Sequence, residues 1–242
     1  NGTKMQEFCS NFKKHKLDSL LISIDGLEEN HSKVRKSNTN FKKAIESIKI
    51  AKNSGIKMVS VNTCVFPENI NDLEQLKELI FSQGLDQWTI RPVSPSGRAN
   101  NKAEYELSYH QIKELLLYVK TNVEKDFEIT VGSDLGYLGK LDSYLYLSPH
   151  FFSLGWNSMV ILPNGDIKGF DESHLPLEGN IFENDIEEVW FTKFLYYRKP
   201  EIPETCITCN YFSRCRGGNL ATAELDKRCI KPVLEMLEEY AF

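Results

Sequence analysis

The sequence predicts an α/β protein carrying a small α+β domain with a metal site, and three observations carry that reading. Apolar, β-prone runs alternate with helical periodicity through the first half of the chain. The alternation stops near residue 127. Four of the six cysteines crowd into the last 40 residues or so, between Cys206 and Cys229. Strand alternating with helix argues a parallel sheet or barrel built from βαβ units.

The elements follow in order. LDSLLISIDG (17–26) reads as a buried strand ending in an Asp-Gly loop. Asn40 is the expected cap of a helix through residue 54, where Phe41, Ala44, Ile45, Ile48 and Ala51 recur at helical spacing and Gly55 supplies the stop. IKMVSVNTCVF (56–66) is a second strand, and Leu73, Leu76, Leu79 and Ile80 mark a helix over about 71–83. DQWTIRPV (86–93) is a third strand, broken by Pro-Ser-Gly, and Ile112, Leu115, Leu116 and Val119 form the apolar stripe of a helix over 108–125. Three strands are too few to close a barrel. Beyond a boundary at 127–155, which divides the chain into 1–126 and 127–242, NSMVILPNGDIKGF (157–170) reads as a hairpin about a Pro-Asn-Gly-Asp turn. A short helix is expected over 185–199 and a final one over KPVLEMLEEYA.

The bulk composition excludes several classes. Hydrophobic content is 41% and charged content 26%, ordinary for a globular protein. A net charge of −5 argues against sequence-independent nucleic-acid binding, which needs many cations against phosphates. The basic cluster Lys13, Lys14, His15, Lys16 is read as a solvated helix face. No stretch approaches a membrane span and the first residues hold no apolar signal core, so a cytoplasmic location without a membrane partner is expected.

The cysteine string is CITCNYFSRCRGGNLATAELDKRC, that is C-x2-C-x5-C-x13-C. Two cysteines separated by two residues put both sulfurs on one metal from a single turn, and Cys215 and Cys229 close the shell begun by Cys206 and Cys209. Four thiolates suit tetrahedral zinc or a [4Fe–4S] cluster, and the spacing leaves both open. Gly217 and Gly218 let the backbone fold closely around the site. Cys9 and Cys64 stand alone and are read as small buried hydrophobes. His31, His110, His150 and His174 show no ligand spacing.

The string, preceded by ILPNGDIKGF and LEGNIFENDIEEVW, resembles the C-terminal domain of radical S-adenosylmethionine (SAM) enzymes of the SPASM and twitch type. ISIDG with His31 and Arg35 resembles the fourth strand of their barrel, CVFPENINDL the fifth and its exit, and RPVSPSGRA the sixth. The resemblance implies the C-terminal half of a partial (β/α)6 radical SAM barrel over 1–126 and a SPASM/twitch-like auxiliary-cluster domain over 127–242. It implies one auxiliary [4Fe–4S] cluster on Cys206, Cys209, Cys215 and Cys229. The positions matching a second auxiliary cluster are Asn157, Phe170 and Asn219, none a usual iron ligand.

The family's CxxxCxxC and its Gly-Gly-Glu signature do not occur in the sequence. The chain is therefore expected to be the C-terminal part of a longer enzyme and to be inactive alone. In the intact parent, a second [4Fe–4S] cluster would cleave SAM to a 5′-deoxyadenosyl radical, with a flavodoxin or ferredoxin as reductant. The implied activity is that of an oxidoreductase or maturase modifying a peptide or protein side chain. Ser23, Arg35, Asn62 and Arg91 are the candidate contacts to SAM or substrate, and Arg suits a carboxylate through bidentate geometry. Arg98, beyond the third strand, is read as a surface ion-pair residue. Asp171 matches a catalytic base of the sulfatase-maturating relatives, a role that burial beside Phe170 would favour. The alternative is a non-enzymatic scaffold, or a zinc protein using the same four cysteines.

Overall fold

A computed structural model describes residues 2–93, 102–122, 127–148, 150, 152–222 and 229–238, and divides the chain into two units. The first comprises 1–93, 103–132 and 144–147, and the second 94–102, 133–143 and 148–242. The α/β class with a parallel sheet is observed.

In the first unit, α1 (Met5–Lys14) precedes β1 (Ser19–Ser23), α2 (Glu28–Arg35), α3 (Asn40–Asn53), β2 (Met58–Val65), α4 (Leu73–Ser82), β3 (Gln87–Pro92), α5 (Tyr109–Thr121) and β4 (Glu128–Val131). The four strands lie in the order β1-β2-β3-β4, every pair parallel. A strand follows each helical crossover beside its predecessor, as connection rules favour. The fourth strand falls beyond residue 126, where the sequence reading placed the end of this region. Only four residues long, with Glu128 and Thr130 polar, β4 has too little pattern to announce itself, and its pairing with β3 decides its place.

Strand parity sorts the sheet into two faces. Ile22, Val59, Val61, Trp88, Ile90 and Ile129 point to one side and are almost fully buried. The helices supply Ala44, Ile48, Ala51, Leu76, Ile80, Leu115, Leu116 and Val119 to the same core. Burying each of the Val, Leu and Ile side chains among these contributes roughly 1.5–3 kcal/mol. Thr63 is the polar exception in that layer. Its hydroxyl donates to the Ile24 carbonyl at 2.7 Å and accepts from Trp88 Nε1 at 2.8 Å, so both polar groups are satisfied.

Local signals set the helix ends. Ser108 caps α5 through a capping box with Gln111. Thr39, not the expected Asn40, occupies the N-cap of α3, and Asn40 is its first residue.

The short helix α6 (Asp142–Leu145) is divided between the units, Asp142 and Ser143 in the second and Tyr144 and Leu145 in the first. The second unit holds β5 (Val160–Ile161), β6 (Asp166–Lys168), β7 (Leu177–Asn180), α7 (Ile186–Thr192), α8 (Leu195–Arg198), α9 (Glu204–Ile207), α10 (Phe212–Cys215) and α11 (Lys231–Glu238). β5 and β6 form the expected hairpin, with Gly165 at φ 88° in its turn. β7 adds antiparallel to β6, which periodicity over four residues could not announce. The helix expected over 185–199 is two helices, broken where Phe194 takes a left-handed φ of 64° and its N–H donates to Glu178 Oε2 at 2.8 Å. Ile167, Val189, Phe194 and Tyr197 form the local core. Gly169 is required there, because a Cβ at that position would collide with the Tyr197 ring.

Candidate functional site: a polar sheet face and a cysteine loop

The face of the parallel sheet opposite its apolar core is polar. Register aligns Ser23, Asn62, Thr89 and Thr130 in one row across all four strands. Thr89 and Thr130 share a hydroxyl contact at 3.2 Å. Asn62 Oδ1 is buried and has no hydrogen-bond partner among the described residues. An unmet acceptor in such a place costs roughly 1–3 kcal/mol, so a ligand donor there would recover what folding leaves unmet. One step further along, Arg91 stands beside Cys64. Cys64 is therefore on the polar face and half-buried, not a member of the hydrophobic layer as its apolar neighbours suggested.

Arg35 is set apart from that row, at the C-terminal end of α2. Its Nε donates to Asp25 Oδ2 at 2.6 Å, and Asp25 is 2% exposed. His31, also buried, accepts the Asp25 N–H at Nδ1, which requires that nitrogen to be unprotonated. Burial holds the His31 imidazole below its ordinary range, opposed in part by Asp25 and reinforced by Arg35.

In the second unit, Cys206, Cys209, Cys215 and Cys229 are all free and half-buried. Burial pushes the Cys206 thiol up, and nearby Cys229 and Cys209 push it further. Burial also raises Cys215, while the backbone N–H groups of Gly217 and Gly218 favour its thiolate. Arg216, Gly217 and Gly218 take left-handed φ values of 53°, 96° and 84° in succession, which turns those amides onto the sulfur. The donor set suits a thiolate-ligated metal in kind. Among the described residues, no three Cys, His, Asp or Glu side chains stand together in a metal-holding group.

The remaining sequence candidates scatter. Asp171 is exposed, so the burial that would fit it for proton abstraction is not found. Asn219 is spent on backbone, donating to the Asp134 carbonyl at 2.7 Å and accepting from Ala221 N–H at 3.0 Å. Asn219 and Phe170 line one small cavity of about 100 Å³; Asn157 is not among the residues that form it. Arg98 lies outside the described residues. Sequence reasoning missed Asp25, Asn69, Thr89 and Thr130. The Asp-Gly after the first strand was read as loop chemistry, and the threonine row exists only once register is known.

Residues 1–80 match the radical SAM superfamily. The chain is 24% identical over 207 residues to the mycofactocin maturase MftC of Mycolicibacterium smegmatis, covering 83% of this chain and 52% of the relative. It is 27% identical over 139 residues to the GTP 3′,8-cyclase of Petrotoga mobilis, covering 53% and 43%. The chain thus spans about half the length of the curated relatives it matches. Among solved structures, native anSMEcpe with bound AdoMet and Kp18Cys peptide superposes with a TM-score of 0.69 at 16% identity, over 99% of this chain and 72% of that one. Streptococcus suis SuiB bound to S-adenosylmethionine gives 0.58 at 19%, over 83% and 49%. The fold is that of these radical SAM structures. No helix among the described residues is long and apolar enough to cross a membrane.

Proposed function

From the radical SAM match over residues 1–80, we propose that this chain is part of a radical SAM maturase that modifies a peptide or protein side chain. The observation that carries the reading is the polar row on the parallel sheet, with Ser23 and Asn62 adjacent in register and Asn62 Oδ1 buried without a partner. Ser23 and Asn62 would bind the polar groups of SAM, Arg91 on the same face would meet SAM or substrate, and Arg35 would meet a carboxylate. SAM, when reduced by an iron–sulfur cluster, supplies a 5′-deoxyadenosyl radical that abstracts hydrogen. The residues of this chain bind and orient; CxxxCxxC, the string that holds the SAM-cleaving cluster, does not occur in it.

Relatives support a peptide substrate. MftC is a maturase, and SuiB has been crystallised with its precursor peptide SuiA. In the second unit, a cavity of about 710 Å³, lined in part by Trp156, Tyr197, Phe212, Arg198 and Arg214, has the volume to take side chains of such a substrate. The partial (β/α)6 barrel and the SPASM/twitch-like domain belong to this same reading. So do one auxiliary [4Fe–4S] cluster on Cys206, Cys209, Cys215 and Cys229, a flavodoxin or ferredoxin reductant, and a cytoplasmic location. A part for Asp171 in proton transfer rests on the resemblance alone.

Anaerobic purification with iron, sulfide and zinc analysis tests the cysteine assignment. Broad absorption near ~400 nm with about four irons per chain supports a [4Fe–4S] cluster. A colourless protein with one zinc replaces it with the structural-metal reading. SAM titration tests the sheet face: Asn62→Ala is expected to weaken binding about tenfold, the worth of one good buried hydrogen bond. Unchanged affinity removes Asn62 from the site.

A further inference from the structure

We propose that Asp25 is the positioning residue for Arg35 and, through it, a determinant of selectivity for a ligand bearing a carboxylate. This deepens the reading of Arg35 given above and rests on it, adding a residue that touches no ligand itself.

Every polar atom of Asp25 is engaged. Its N–H donates to His31 Nδ1 at 3.0 Å, and its carbonyl accepts from Asn69 Nδ2 at 3.1 Å. Oδ1 accepts from the Cys64 N–H at 3.0 Å, and Oδ2 from Arg35 Nε at 2.6 Å. A buried carboxylate tied on both oxygens has no alternative rotamer that keeps its bonds. The chain then leaves through Gly26 at φ +117°, where a Cβ would approach Asp72 Oδ2 to 2.8 Å. Asp72 Oδ2 in turn accepts from the Leu27 N–H and from Asn30 Nδ2, each at 2.9 Å. α2 is therefore pinned at its start by Asp72 and at its end by Asp25.

The consequence falls on the guanidinium. Arg35 is bound through Nε alone, and its two Nη groups make no hydrogen bond among the described residues. A planar fork fixed at one corner presents its remaining N–H groups in a set direction, the geometry that pairs with a carboxylate. Arg35 is also part-exposed, with 26% of its side chain accessible against 2% for Asp25, so the pair joins a buried carboxylate to a guanidinium that is open in part to solvent.

The test titrates the intact protein with SAM and with decarboxylated SAM, which differs by the carboxylate. Wild type is expected to prefer SAM by about tenfold or more, the effect of a charge-assisted pair. Asp25→Asn keeps its affinity for the decarboxylated analogue and loses most of the preference, as Arg35→Gln does. The Arg35 Nε–H resonance, slow to exchange in wild type, is expected to become fast in Asp25→Asn, a reading that needs no ligand. Arg35→Lys is the second variant should Asp25→Asn not fold: one ammonium cannot hold Asp25 and present a fork, so its preference is also expected to fall. Retained preference in a folded Asp25→Asn or in Arg35→Lys overturns the proposal, as does equal weakening toward both ligands. Wild type that fails to discriminate overturns the assignment of Arg35 itself, a different failure from that of Asp25.

Discussion

In the parallel-sheet unit, Asp25, His31, Asn69, Thr63 and Trp88 are bonded to one another or to backbone before any ligand arrives. In the antiparallel unit, the four cysteines are free thiols; burial raises Cys206 and Cys215, and the backbone N–H groups of Gly217 and Gly218 favour the Cys215 thiolate. The first arrangement is preorganised: its ligand would find donors and acceptors already placed. The second depends on what binds it, because deprotonation and convergence of the sulfurs are supplied by a metal.

The largest test of that contrast is metal removal. Loading the four cysteines is expected to release protons and to protect 204–216 from proteolysis, on a scale of ~10 kcal/mol by analogy with small thiolate metal sites. Chelation should expose that segment while the sheet unit keeps its circular dichroism. Equal proteolysis with and without metal would break the comparison. Next, Trp88→Ala removes a fully buried indole and the bond to Thr63, at an expected cost of about 3–5 kcal/mol in urea unfolding. Gly169→Ala tests the packing of the other unit. Its new methyl meets the Tyr197 ring, and overpacking of this kind costs about 1–3 kcal/mol.

The smallest effect is a pH dependence. His31 binds its proton more weakly folded than unfolded, so the unfolded chain holds more protons as pH falls below about 6.5. The stability that neutral His31 contributes is complete above that value. It is lost as pH falls toward the folded value, by at most about 1.4 kcal/mol per pH unit. His31→Gln should flatten the slope between pH 5 and 6.5, read from melting temperature at each pH. An unchanged slope would place the proton uptake elsewhere.

Much of the architecture was legible because long elements carry their own periodicity. The stripe of Leu115, Leu116 and Val119 and the run Met58–Val65 needed no tertiary information. β4 and β7 were not legible, since four residues hold barely two repeats of a strand pattern and pairing partners decide them. The break at Phe194 was hidden for another reason: a non-glycine left-handed residue is stabilised by Glu178, sixteen residues away. For the site, the cysteine spacing was read directly and Ser23, Asn62 and Arg91 were found to share a face. Asp25 was overlooked because its bonds reach Asn69 and Cys64, contacts that a linear string does not display.

The parallel sheet ends at β1 on one side and β4 on the other, and neither is closed by a further strand among the described residues. Rows of backbone amides and carbonyls at such borders accept added strands. Leu21, on β1, is 53% exposed, so the first border is greasy as well as unsaturated. Handled alone, this chain is expected to self-associate through that border as its concentration rises, and a Leu21→Lys substitution is the simplest way to keep it monodisperse.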